Sequence, residues 1–213
     1  MAAELGCEYE VCDVADRTAV DAMAARVTER HPAIKLLVNN AGISGRTPGH
    51  RRRRGFVDSD PDWIEEVFRI NLFGAIWCLR AFLPALEAGK PSHVVNVTSV
   101  AGTVAVPPGL YSATKHALVA FSRSLAATLP AQGIQVHTVN PGFVETPGFP
   151  QRGVLGSRLL ERSVVSPEYA ARRIVNAVER NRREVFVPGW YRVPAAVQAL
   201  APGLVSRLLA RRG

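Results

Sequence analysis

The sequence predicts a doubly wound α/β fold, a parallel sheet with helices on both faces. Short runs rich in Val, Ile or Leu alternate with longer helical patterns. Each run ends in loop-like residues, the sign of repeated βαβ units. Size agrees: 213 residues suffice for one such domain with a proper core and are short for two.

Taken in order, Ala2–Leu5 reads as the last turn of a helix with Gly6 as its C-cap. A strand is expected directly after it, over Glu8–Cys12. Further strands are expected at Ile34–Val38, His93–Val97, Gln135–Val139 and Glu184–Val187. Helices are expected at roughly Arg17–Arg30, Pro61–Glu87, Ser112–Leu129 and Pro167–Asn181. Asp60 before Pro61 and Ser166 before Pro167 each pair an N-cap side chain with proline at the first helical position. No internal repeat or low-complexity linker interrupts the pattern.

Composition narrows the function. With 47% apolar and 21% charged residues the chain is globular in character. The net charge of +8 sits mainly in Arg51–Arg54 and in the stretch from Arg172 to Arg212. A solvated loop and a basic tail account for it, and nucleic acid is not expected as a partner. Cys7, Cys12 and Cys78 make an odd count, and Met1–Gly6 has no basic leader region. A reduced, cytoplasmic protein with buried thiols is expected. No second Cys or His pair completes a metal site with Cys7 and Cys12, so no metal is expected. No stretch holds eighteen uninterrupted apolar residues.

The chemistry concentrates in a few places. Tyr111 and Lys115, four apart on a helix in Tyr111-Ser112-Ala113-Thr114-Lys115, share one face, which brings an ammonium towards a phenol. Twelve residues upstream of Tyr111, Ser99 ends a buried strand, and the carboxyl end of a central strand is where such sheets bind ligands. Leu36-Leu37-Val38-Asn39-Asn40-Ala41-Gly42 closes another strand in two amides and a glycine. Asn71 lies inside a long helix, where asparagine is a poor helix former and needs a reason. Asn140-Pro141-Gly142-Phe143-Val144-Glu145-Thr146-Pro147 follows a strand with a rigid turn and a hydroxyl. His31, His50, His93, His116 and His137 are given no catalytic part.

In this order and at these separations the motifs resemble the short-chain dehydrogenase/reductase family, over about residues 5–190. The resemblance implies a Rossmann-like sheet and hydride transfer between NAD or NADP and an alcohol/carbonyl pair. It also implies a catalytic tetrad of Asn71, Ser99, Tyr111 and Lys115. Tyrosine would exchange the proton and serine would orient the substrate oxygen. Lysine would bind the ribose and lower the tyrosine pKa, and asparagine would hold a relay water. By the same resemblance Asp13 and Val14 contact adenine, Asn40 lies beside the adenine ribose, and Val144 and Thr146 seat the carboxamide. Residues 1–189 would form the catalytic domain. A homo-oligomer would form through the two long helices.

Two features depart from the family. The T-G-x-x-x-G-x-G turn that cradles the pyrophosphate is absent, Gly6 being the one glycine in residues 1–40. The first two strands are therefore expected to be missing. Either Glu8–Cys12 pairs directly with Ile34–Val38, or an apolar edge stays open. The expectation is a longer product with Met1 inside a helix. The alternative is a non-catalytic remnant or interaction protein that binds no cofactor. The Arg46–Arg54 loop is longer and more basic than usual, consistent with an insertion.

The tail, residues 190–213, carries Val193, Ala196, Val197, Leu200, Leu204, Leu208 and Leu209 at helical spacing, with Arg207, Arg211 and Arg212. It suits a flap over an apolar pocket, an oligomer contact or a peripheral membrane helix. The flap is the commoner family use. Val104, Val106, Phe143, Phe149 and Leu155 would give the substrate pocket an apolar lining.

Overall fold

A computed structural model describes residues 2–45, 59–106, 109–146 and 161–210. Four parallel strands form one sheet in the order β1 (Leu36–Asn39), β2 (Ser92–Val97), β3 (Ile134–Pro141) and β4 (Glu184–Val187). Leu37 pairs with Val94, Val95 with His137, and Thr138 with Glu184. The helices are α1 (Ala2–Leu5), α2 (Arg17–Arg30), α3 (Pro61–Phe68), α4 (Gly74–Ala88), α5 (Leu110–Thr128), α6 (Pro167–Glu179), α7 (Arg192–Leu200) and α8 (Pro202–Ala210). Parallel neighbours need crossovers. The α3–α4 run, α5 and α6 supply the three that link β1 to β4 in turn.

Alternation along the strands builds two cores. Val94 and Val136 face Leu79 and Leu86 of α4 and Ala126 of α5, while Val95 and Val139 face Ala170 and Ala177 of α6. Strands buried on both faces read as the near-continuous apolar runs seen in the sequence. The expected caps form: Asp60 accepts from Asp62 N at 2.8 Å and Ser166 from Tyr169 N at 3.2 Å. Gly6 takes the left-handed φ of 62° that ends α1. The continuous helical run Pro61–Ala88 is long and apolar enough on average to cross a membrane, by length and composition alone. Here it lends Leu79, Phe82 and Leu86 to the buried interior.

Polar side chains cross the sheet between these cores. Asn39 Nδ2 donates to Asn96 Oδ1 at 2.9 Å, and Asn96 Nδ2 to Ser122 Oγ at 3.0 Å. Ser122 Oγ lies 2.7 Å from Thr138 Oγ1. A second chain runs from Thr98 to Asn140 at 2.6 Å and from Asn140 to Glu184 at 2.9 Å. Slipping a strand by one residue would orphan these buried groups, so the chains help to fix register.

Glu8–Cys12 is not a strand. Its side chains explain where it goes instead: Glu10 meets Arg26 and Arg30 at 2.9 Å, and Glu8 meets Arg30 at 3.0 Å. These ion pairs hold the segment along α2. Among the described residues β1 pairs only with β2, and Leu36 and Val38 are substantially exposed at that edge. Of the two outcomes expected for this region, the open edge is the one observed. Burial of the thiols is also incomplete. Cys7 is exposed and Cys12 half-buried, while burial pushes the Cys78 thiol up to about 11. The Arg51–Arg54 run lies outside the described residues.

Candidate active site

Ser99 follows β2 and caps the short 3₁₀ turn Val100–Gly102, its Oγ accepting from Ala101 N at 3.1 Å. The turn sits directly against α5. A Cβ on Gly102 would stand 2.5 Å from the Lys115 carbonyl oxygen and 2.8 Å from its carbon. Only a residue without a side chain permits that approach. Ser99 stands near enough to the Tyr111 phenol to lower its pKa. Ser99 Oγ is also 3.4 Å from Pro141 O, which ties it to the turn after β3.

Lys115 stands one helical turn from Tyr111, as the spacing required, with Nζ 5.8 Å from the phenol ring centre. The amine is buried and donates to Val97 O at 3.1 Å. Burial pulls its pKa down to about 8. Burial pushes the Tyr111 phenol up, and Ser99 works against that rise. The protein groups alone therefore raise the phenol pKa, where the sequence led us to expect a lowering by the lysine. Desolvation of the phenolate outweighs the neighbouring donor.

Asn71 has its reason for lying mid-helix. The segment Arg69–Phe73 is a π-turn between α3 and α4, and such bulges recur at functional sites. Oδ1 accepts from Ile43 N at 2.7 Å, and Nδ2 donates to Ile43 O at 3.0 Å and to Thr114 Oγ1 at 3.1 Å. Asn71 thus clamps the loop after β1 to α5. A Cβ on Gly42 would fall 3.2 Å from Asn71 Oδ1 and 3.4 Å from Lys115 Nζ. The bare glycine therefore leaves open the space that those two polar groups border.

The other candidates are more dispersed. Asn40 is exposed just beyond β1. Asp13 is exposed, its Oδ1 accepting from Ala15 N at 2.9 Å, and Asp16 rather than Asp13 caps α2. Val14 packs on Gly74 at the start of α4, three residues from Asn71. Val144 bridges to Val165, and Thr146 is half-buried at the last described position of that segment. Among the described residues no hydrogen bond joins Asp13 or Asn40 to the four clustered side chains. Phe149 and Leu155 lie outside the described residues.

Two residues that sequence reasoning passed over belong to the site's support. Thr114 sits inside the Tyr111–Lys115 motif and holds Asn71; its position in that motif was the available signal. Tyr191 packs its ring against Gly142 and sets an edge to Phe143 with centroids 6.5 Å apart. No sequence pattern marked it. His116 turns away, its Nδ1 2.8 Å from Ser112 O. It lines a separate cavity of about 510 Å³ with Arg123, Phe186 and the inner side of α7.

Comparisons with known proteins bear on the family and the fold. The family described as short chain dehydrogenase matches residues 2–153. Mouse dehydrogenase/reductase SDR family member 7B is 32% identical over 94% of this chain and 62% of its own length. Mouse epidermal retinol dehydrogenase 2 is 32% identical over 83% of this chain and 56% of its own length. The chain thus spans about three-fifths of the curated relatives it matches. A short chain dehydrogenase from Burkholderia cenocepacia, solved in complex with NADP, superimposes with a TM-score of 0.76 at 26% identity, over 95% of this chain and 80% of that one. A Streptomyces avermitilis short-chain dehydrogenase gives 0.76 at 25% identity, over 100% and 84%.

Proposed function

The chain belongs to the short-chain dehydrogenase family, and on that premise we propose that its site transfers hydride between NAD or NADP and an apolar alcohol or ketone. The observation that carries the reading is the buried Lys115, one helical turn from Tyr111 with Nζ 5.8 Å from the phenol ring, beside a phenol whose titration Ser99 influences. The NADP held by the Burkholderia relative, and the retinol in the name of a mouse relative, point the same way.

The donor set suits the nicotinamide end of a dinucleotide. Lys115 Nζ donates one N–H to Val97 O, which leaves donors for a ribose hydroxyl beside the space that Gly42 keeps open. When bound, the cofactor supplies the hydride acceptor or donor and, oxidised, a positive charge. Tyr111 passes its proton to or from the substrate oxygen as general acid/base. Ser99 orients that oxygen by hydrogen bonding. Lys115 favours the phenolate at the moment of transfer. Asn71 has both amide N–H groups engaged within the protein, and the second lone pair of Oδ1 is left to hold a relay water. Val144 and Thr146 would seat the carboxamide, and Asp13, Val14 and Asn40 would meet the adenosine end.

The second reading, a non-catalytic interaction protein, is favoured by the open β1 edge, where Leu36 and Val38 are substantially exposed. Titration of the purified chain with NADH and NADPH, followed by nicotinamide fluorescence beside circular dichroism, separates the two. Saturable binding supports the oxidoreductase. A folded chain that binds neither overturns it in favour of the second reading.

A further inference from the structure

The last two helices keep their apolar residues outside. In α7, Val193, Val197 and Leu200 follow one another at spacings of four and three, so they share one face. They are 66%, 39% and 86% exposed. Trp190, just before the helix, is half exposed, and Leu204 in α8 is 53% exposed. No residue of α7 is fully buried. The opposite side of the helix, with Ala195 and Ala199, lines the cavity against α5 and β4 and is thereby attached to the body of the protein. The stripe is not a poorly packed core face. It is the outer face of a helix whose inner face is already used.

The charge around the stripe is one-sided. From Trp190 to Gly213 the chain carries four arginines (Arg192, Arg207, Arg211 and Arg212) and no Asp or Glu. Arg207, one turn after Leu204 in α8, is exposed, while Arg192 sits at the mouth of the inner cavity. The carboxylate near the inner face of α7, Glu184, is paired with Arg123 at 2.8 Å. An apolar stripe in a segment that carries arginines and no carboxylate selects a partner that is apolar within and anionic at its surface.

We propose that the outer face of α7 and α8 docks the protein onto an anionic lipid surface, with Val193, Val197, Leu200 and Leu204 entering the headgroup–acyl boundary and Arg207 meeting lipid phosphate. Such binding scales with buried apolar area plus attraction to acidic lipid. A second copy of the chain fits less well, since pairing this face with itself would oppose arginine to arginine. Nucleic acid would satisfy the cations but leave Leu200 uncovered. The inference does not rest on the catalytic reading.

The test is co-sedimentation of the full chain with phosphatidylcholine vesicles, with and without phosphatidylserine. Acidic vesicles are expected to bind at least about tenfold more protein, and high salt to remove most of that excess. Leu200→Glu, and separately Leu204→Ser, should each cut binding several-fold with unchanged circular dichroism, and Arg207→Glu should abolish the preference for acidic lipid. Equal binding to both vesicle types would overturn the proposal, as would absence of binding. So would folded Leu200→Glu and Leu204→Ser variants that bind like the parent. A dimer dissolved by Leu200→Glu, without vesicle binding, would instead assign the face to a second copy.

Discussion

The ring of Tyr191 occupies the volume that a side chain on Gly142 would fill. A Cβ there would overlap two ring carbons and lie 2.7 Å from the hydroxyl. Tyr191 is buried, stacks on Trp190 with centroids 3.8 Å apart, and its hydroxyl reaches Ser163 Oγ at 3.3 Å. The segment after β4 is thus pinned onto the turn that leads to Val144 and Thr146. Gly142→Ala should therefore be destabilising by about 2 kcal/mol or more, as overpacking against a ring requires. Tyr191→Phe should cost only about 1 kcal/mol, the worth of one hydrogen bond. Urea denaturation of the two variants checks the ranking, and equal costs would refute the packing account.

The influence of Ser99 on Tyr111 gives a second prediction. Burial raises the phenol pKa and Ser99 opposes the rise. Ser99→Ala removes the opposing effect, so the pH dependence of oxidation should move to higher pH as well as lose amplitude. Tyr111→Phe should lower kcat by about 100-fold or more with the fold intact. A rate profile for Ser99→Ala that keeps the parent's alkaline limb would show that the serine acts on the substrate alone.

Much of this site was legible because it is local. Tyr111 and Lys115 needed only helical periodicity, and Asp60 and Ser166 only the chemistry of caps. Strands β2, β3 and β4 could be read because burial on both faces writes them as apolar runs. What escaped depended on distant partners. Glu8–Cys12 has strand-like residues, yet Arg26 and Arg30 claim its glutamates across more than a dozen positions. Thr114 supports Asn71 from 43 residues away, and the close contact at Gly142 is made by a tyrosine 49 positions further on. The π-turn is of the same kind, since the Asn71 it carries bonds to Ile43 and Thr114, far away in sequence.

His93 of β2 and His137 of β3 form a pair, and it should be felt in acid. His93 Nδ1 lies 2.9 Å from His137 Nε2, and His137 Nδ1 lies 2.8 Å from Arg182 O. The carbonyl can only accept, so His137 donates from Nδ1 and receives at Nε2, which makes His93 the donor between them. Burial lowers both pKa values below 6.5. The unfolded chain then binds more protons than the folded one as pH falls from about 6.5, and stability falls with it. His137→Gln should flatten that acid slope even if it lowers stability at neutral pH. Denaturation midpoints between about pH 7 and pH 5 are the readout, and an unchanged slope would clear the pair of the effect.

Lys115 carries a linkage of the same sign at the alkaline end. Its pKa falls from 10.5 to about 8 because burial disfavours the ammonium, a shift equivalent to roughly 3 kcal/mol. Between those two values the unfolded chain holds the proton that the folded chain has released. Stability should therefore rise as pH climbs through that window, and at neutral pH the folded state bears the cost of a buried charge. Lys115→Met keeps the volume and removes the charge, losing the bond to Val97 O. It should be inactive in hydride transfer yet more stable than the parent by about 1–2 kcal/mol near pH 7, with the alkaline rise abolished. A Lys115→Met variant that unfolds more readily at neutral pH would mean that the bond to Val97 O outweighs the buried charge. Lysine would then be serving the fold as well as the chemistry.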